Sequence, residues 1–129
     1  MQRPASVRRQ DLGRESERLA AGWLASRGYQ LEAANVRFPG GELDLVARDG
    51  TALCFIEVRS TTSDQWGGPL ATIDLRKRQQ IIRAARWFLA ARQPRFEQIR
   101  FDVVAVIWRG DSPPAFELVQ GAFDAGGAW

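Results

Sequence analysis

The chain has 129 residues, 45% of them hydrophobic and 26% charged, a globular make-up that argues against disorder. One cysteine and no histidine exclude intrachain disulfides, Cys- or His-based metal sites and nucleophiles activated by an imidazole. The net charge is +3 and the pI about 10.0, with Lys77 the single lysine among 18 basic residues. An arginine-rich balance suits bidentate phosphate contacts and is equally produced by GC-rich coding.

The length fits one domain, residues 1–129, large enough to bury a core without staples. No run approaches the ~20 apolar residues of a membrane span. The first residues lack the apolar segment of a signal peptide. With no pair of cysteines, the expected location is the cytoplasm, with no membrane partner. Acid–base or metal chemistry falls to carboxylates, Lys, Tyr or the backbone, and carboxylates favour hard cations such as Mg2+ or Mn2+.

Residues 1–10 (MQRPASVRRQ) read as a flexible basic arm. Leu12, Leu19, Ala20, Trp23 and Leu24 recur at helical spacing and predict a helix over 11–27, stopped by Gly28. Residues 29–36 read as a strand that "FPGG" ends. "GGELDLVARDGTALCFIEVRS" (40–60) then reads as two strands joined by a tight turn. "STTSDQWGGPLAT" (60–72) reads as a loop.

A second helix is predicted over 74–92, with Thr72 or Asp74 as its cap and Ile82, Ala85, Phe88 and Leu89 as its apolar stripe. Its other faces carry Arg76, Lys77, Arg78, Arg83 and Arg86. "IRFDVVAVIW" (99–108) is a strand, "GDSPP" a turn, "AFELVQ" (115–120) a last strand and 124–129 a tail. The order α-β-β-β-α-β-β predicts an α/β fold, a mixed sheet with helices packed against it. Cys54 is expected in the core and Asp102 in a structural role.

The predicted hairpin holds four charges within otherwise apolar strands: Glu42, Asp44, Glu57 and Arg59. Side chains alternate faces along a strand, so Glu42 and Asp44 share one face, as do Glu57 and Arg59. A type II′ loop at Gly50-Thr51 sets Asp44 opposite Glu57 and Glu42 opposite Arg59; a type I′ loop at Asp49-Gly50 sets Glu42 opposite Glu57. Either register gathers all four charges on one face. Two carboxylates facing each other at about 5 Å require a cation, a shared proton or Arg59 as compensation. A solvated face with a Glu42–Arg59 ion pair is the alternative. Glu17 borders the first helix's apolar stripe and is expected to point towards the sheet, or to reach past it to water.

Asp44 followed by Glu57-Val58-Arg59 resembles the Asp…Glu-x-Lys core of PD-(D/E)XK nucleases. The blocks "GRESERLAAGWL", "GELDLVARDG", "FIEVRS", "WGGP", "LRKRQQIIRAARWFL" and "RFDVVAV" together resemble the YraN-like family of bacterial predicted endonucleases, related in fold to archaeal Holliday junction resolvases. The resemblance spans about residues 11–123. It implies a restriction-endonuclease-like αβββαβ core, a central mixed sheet flanked by helices. It also implies a cation, Mg2+ or Mn2+, held by Asp44 and Glu57 with the Val58 carbonyl as a further ligand. Glu17 corresponds to the helix carboxylate of resolvase-like members, and Glu42 takes a supporting or ion-pair role.

The implied reaction is hydrolysis of phosphodiester bonds in structured or branched DNA, by a homodimer if the analogy with resolvases extends so far. Arg59 stands where the family usually has lysine. It stays protonated, so it can neutralise phosphate charge but cannot act as a base. That leaves two readings, a nuclease and a non-catalytic nucleic-acid-binding protein with a nuclease fold. Lys77 is either a compensating catalytic residue or one more charge on an exposed helix. Arg76, Lys77, Arg78 and Arg83 are candidates for tracking a phosphate backbone. Trp66 is a candidate for stacking on a base, or a loop anchor.

Overall fold

The computed structural model describes residues 5–62 and 73–126, with side chains described from Gly13 onward. Helix α1 (Ala5–Ser26) leads into strands β1 (Gln30–Phe38), β2 (Gly41–Asp49) and β3 (Ala52–Thr62). Helix α2 (Leu75–Arg92), β4 (Gln98–Arg109) and β5 (Ser112–Phe123) follow. The strands lie in the order β1-β2-β3-β4-β5 in one sheet. β3 and β4 run parallel and the other neighbours antiparallel. A parallel pair cannot be joined by a hairpin, and α2 supplies the crossover. The fold is α/β, with the expected αβββαβ order of a restriction-endonuclease-like core and one further edge strand.

The helices cover opposite faces. On one face Ala20 and Leu24 of α1 pack with Leu45, Cys54, Ile56, Val104 and Val106. On the other, Ile81, Ala84, Ala85 and Phe88 of α2 pack with Leu53, Phe55, Phe101 and Val103. β3 and β4 are therefore buried on both sides, which is why "ALCFI" and "FDVVAVI" read as continuous apolar runs. Of the expected stripe of α2, Ala85 and Phe88 are buried, joined by Ile81 and Ala84, while Ile82 and Leu89 lie at its margin.

Four boundaries differ from the sequence reading. α1 begins at Ala5, so residues 5–10, read as an arm, have a helical backbone. Ala, Arg and Gln there favour the helix, and Val tolerates it. β1 continues to Phe38 through its pairing with Gly41. β5 takes in Pro113 and Pro114, which sit on an outer strand at the register shift between the Ile107–Ala115 and Arg109–Ser112 pairs, where the ladder is already interrupted. Ala125 is buried in the α2-side core, so the predicted tail begins later than 124. Residues 63–72, and Trp66 with them, lie outside the described part of the chain.

Asp102 is fully buried and structural, as expected. It accepts hydrogen bonds from Tyr29 Oη (3.1 Å), Arg100 Nε (2.8 Å) and the Gly121 N–H (3.0 Å). Arg100 also reaches Asp49 at 2.8 Å. Burial pushes the Tyr29 phenol and the Cys54 thiol each up to about 12, so neither ionises near neutral pH. Among the described residues no helix is long and apolar enough to cross a membrane.

Candidate active site

The β2–β3 turn decides the register. Gly50 has φ +60 while Thr51 is not among the positive-φ residues, and Asp49 pairs with Ala52. This is the two-residue Gly50-Thr51 loop, the alternative that sets Asp44 opposite Glu57. The ladder between β2 and β3 runs from that turn to Leu45–Ile56 and stops. Beyond it β2 stays paired with β1 down to Gly41, and β3 stays paired with β4 as far as Thr62. The sheet parts there, and Asp44 and Glu57 are the first residues past the last pair.

A break in side-chain alternation accompanies the split. Leu43 packs into the α2-side core and Leu45 into the α1-side core, although they are two residues apart. Regular alternation would put both on one face. The four charges therefore do not all share one face as expected: regular alternation holds from the turn as far as Asp44 and does not carry Glu42 with it. Glu42 lies opposite Arg37 of β1 and forms an ion pair with it at 3.4 Å. Only the β1–β2 register reveals that partner. Asp44 Oδ2 accepts the Val58 N–H at 2.9 Å, a side-chain bond beyond the end of the ladder.

Asp44 and Glu57 behave as a pair. Glu57 is 7% exposed, and burial, followed by the Asp44 charge, pushes its carboxyl up to about 8. Burial also raises Asp44, against the pull of the Val58 N–H and the Lys77 charge. The hydrogen bond between the two carboxyls raises Glu57 and lowers Asp44, so a proton shared by the pair is favoured on Glu57. Two buried carboxylates this close cannot both carry full charge unless a cation joins them.

One cation comes from α2. Asp74 caps the helix by accepting the Lys77 N–H at 2.8 Å, which fixes Lys77 in the first turn. From there Lys77 Nζ reaches 3.7 Å from Glu57 Oε1, with its side chain 41% exposed. The sole lysine is thus at the carboxylate pair, partly open to water. Arg59 lies two residues past Glu57 on β3 and its charge also lowers Glu57.

Glu17 approaches from α1. Burial, then Asp44 and Glu42, raise its carboxyl to about 7, and Arg14 one turn away lowers it. Its Oε2 is buried with no hydrogen-bond partner. Glu17 is thus turned inward, towards Asp44. The expected convergence is incomplete, however. Among the described residues no three His, Cys, Asp or Glu side chains form a group that could hold a metal ion. The arrangement is a tight pair, Asp44 and Glu57, with Glu17 and Glu42 in electrostatic reach.

A two-carboxylate site fits Mg2+ or Mn2+. Mg2+ commonly keeps several waters and is bound through one or two carboxylates plus substrate phosphates. Burial is the main cause that raises all three carboxyls, the Asp44 charge adds to it at Glu57 and Glu17, and the Glu17 oxygen is left without a hydrogen-bond partner that a bound cation's water could supply.

The basic residues of α2 divide. Arg76 and Arg83 are exposed and fall two turns apart on one side of the helix. Arg78 is drawn inward, donating to the Ile73 carbonyl at 2.9 Å and covering the Phe123 ring. Lys77 turns to the carboxylates.

The Uncharacterised protein family UPF0102 matches residues 16–106, from the α1 segment through the sheet split to β4. A UPF0102 protein of Anaeromyxobacter dehalogenans is 47% identical over 119 residues, 92% of this chain and 88% of that one. One from Syntrophotalea carbinolica is 43% identical over 122 residues, 95% of this chain and 98% of that one. A Pseudomonas aeruginosa relative is 44% identical over 121 residues, 89% of this chain and 94% of that one.

Proposed function

We propose that this chain, which belongs to the Uncharacterised protein family UPF0102, is a divalent-metal-dependent endonuclease that hydrolyses phosphodiester bonds of structured or branched DNA. The observation that carries this reading is the Asp44–Glu57 pair at the sheet split, with Lys77 of α2 at 3.7 Å and Glu17 of α1 turned inward. Where β2 and β3 part, the pair is held between two sheet edges with α2 alongside, a concave place with converging polar groups of the kind that binds a ligand.

Asp44 and Glu57 would hold Mg2+ or Mn2+, with Glu17 supporting them through the field at Asp44. Such an ion supplies Lewis-acid stabilisation of a phosphoryl oxygen and a lower pKa for an attacking water. The chain's own residues do the rest. Asp44 is kept in orientation by the Val58 N–H. Lys77 offers a mobile ammonium with three donors, able to follow the charge that builds on a phosphate and to exchange a proton. Arg59 supplies fixed positive charge and no base. Glu42 is tied to Arg37, which suits a supporting role. Two equivalent cuts on a branched substrate call for two sites, so the reading includes a homodimer.

The test incubates the protein with plasmid and four-way-junction DNA, with and without Mg2+ or Mn2+, beside Asp44→Ala and Arg59→Lys. Metal-dependent cleavage lost in Asp44→Ala supports the reading, and cleavage that survives Asp44→Ala overturns it. Arg59 favours the second reading, a nucleic-acid-binding protein without catalysis. No cleavage by the wild type, with cleavage gained by Arg59→Lys, supports that one.

A further inference from the structure

Helix α2 carries six basic residues and no acidic one in its 18. Its open side holds Arg76, Arg83 and Arg86, and one turn past Arg83 it holds Trp87, 46% exposed. The buried stripe of the helix is Ile81, Ala84, Ala85 and Phe88, so Trp87 does not belong to the core contact of α2. Its ring lies parallel to that of Phe38, with centroids 6.4 Å apart and an interplanar angle of 8°. Phe38 is itself packed against the α2-side core, which fixes the plane of the pair.

Arg83 lies across the β1–β2 turn beside this pair. Its Nη1 reaches the Gly40 carbonyl at 3.4 Å, and its Cδ would stand 2.9 Å from a Cβ placed on Gly40. Phe38 pairs with Gly41, three residues before Asp44. At ~3.3 Å per residue the platform is therefore about 10 Å along the strand from the carboxylate pair.

We infer that Trp87, oriented by Phe38 and flanked by Arg83 and Arg86, is a stacking platform for an unpaired base of a DNA strand running to the sheet split. The inference rests on the proposed nucleic-acid substrate and extends it, because it specifies a single-stranded segment beside the cut. A duplex offers phosphates to the arginines but no free base face to the indole. An unpaired strand offers both, and base–aromatic stacking tolerates any base. An acidic peptide would use the arginines and leave the ring without a function.

The test measures fluorescence anisotropy of a forked duplex with an unpaired arm and of a blunt duplex, at several salt concentrations. Wild type, Trp87→Ala, Trp87→Phe and Arg83→Ala are compared after circular dichroism shows each is folded. The wild type is expected to prefer the fork, and Trp87→Ala to lose roughly tenfold on the fork alone. Trp87→Phe retains most of the preference. Arg83→Ala weakens both DNAs alike and reduces the salt slope by about one. Equal binding of both DNAs by the wild type, or an unchanged preference in Trp87→Ala, overturns the platform. No binding of either DNA by the wild type overturns it together with the proposed substrate. A fork preference that depends on Trp87, in a wild-type protein that leaves DNA uncut with Mg2+ or Mn2+, keeps the platform and removes the nuclease.

Discussion

Lys77 Nζ sits 3.7 Å from Glu57 Oε1, joining the first turn of α2 to the strand that a nuclease-like reading makes catalytic. Without this contact Arg59 would be the cation nearest the pair in sequence, and it cannot take up a proton. The contact gives Lys77 a direct place in the site. Lys77→Ala is expected to lower metal-dependent cleavage roughly 10²-fold, the scale on which one positioned charge stabilises a transition state. The fold should survive, because the lysine is 41% exposed. Cleavage rates and thermal melts of Lys77→Ala and Lys77→Arg check this. A rate equal to wild type in Lys77→Ala would return the role to Arg59.

The carboxylates make stability fall as pH rises. Glu57 and Glu17 are raised from 4.5 to about 8 and about 7. Between those values and 4.5 the folded chain holds protons that the unfolded chain has released. The slope of unfolding free energy with pH is therefore negative, with stability fully present below pH ~4.5 and lost as pH climbs through 7 and 8. Melting temperatures at low salt without divalent cation should drop between pH 5 and pH 9. Glu57→Gln should flatten the drop. A melting temperature that climbs steadily over that range contradicts the shared-proton pair.

Saturating Mg2+ should reverse this loss. A ligand that binds only the folded chain at a hundred times its Kd stabilises by roughly 2.7 kcal/mol. The gain is expected in the wild type and absent in Asp44→Ala, read as a shift in melting temperature on adding and chelating the cation. Equal shifts in both proteins would place the cation elsewhere.

Much of this was legible in the sequence because it follows local rules. Helix periodicity gave both helices, and Gly50 gave a turn with two open registers, of which the fold takes the one that puts Asp44 opposite Glu57. The break at Asp44 was not legible. It depends on β2 following β1 while β3 follows β4, a competition between strands that alternation along one strand does not contain. Lys77 was ambiguous for a related reason: helical spacing places it near the start of α2, and only the docking of that helix shows which way the ammonium reaches. Glu42 found Arg37 through a strand pairing the hairpin alone does not show. Trp87 had a signal, an aromatic one turn past Arg83 in a helix without acids.

The buried network at the far end of the sheet should govern stability and not cleavage. Tyr29→Phe removes a phenol that donates to Asp102 and accepts from Arg100 and Gln120. It is expected to cost about 0.5–1.5 kcal/mol, the net worth of a hydrogen bond, since Asp102, Arg100 and Gln120 keep their other partners. Asp102→Ala should cost more, about 3–5 kcal/mol, because Arg100 loses its buried counter-ion. Denaturant titrations give the loss, and cleavage rates well below the melting temperature should match wild type for Tyr29→Phe.

Gly41 tests how closely α2 must approach the split. A Cβ there would stand 2.5 Å from the backbone carbonyl of Gln80 and 3.3 Å from the Ala84 Cβ. A backbone atom cannot turn aside as a flexible side chain can, so Gly41→Ala must push β2 and α2 apart. Overpacking of this kind costs about 1–3 kcal/mol. Because α2 also carries Lys77, the same displacement should lower cleavage beyond what the stability loss explains. Gly50→Ala is the control, with φ +60 but nothing within 4 Å of its Cβ. It should destabilise through backbone strain alone and leave Lys77 in place. Melting temperature and metal-dependent cleavage measured on both variants separate the two effects. A Gly41→Ala protein that loses stability and keeps its full rate would show that the Lys77–Glu57 contact does not depend on the close approach of α2 to β2.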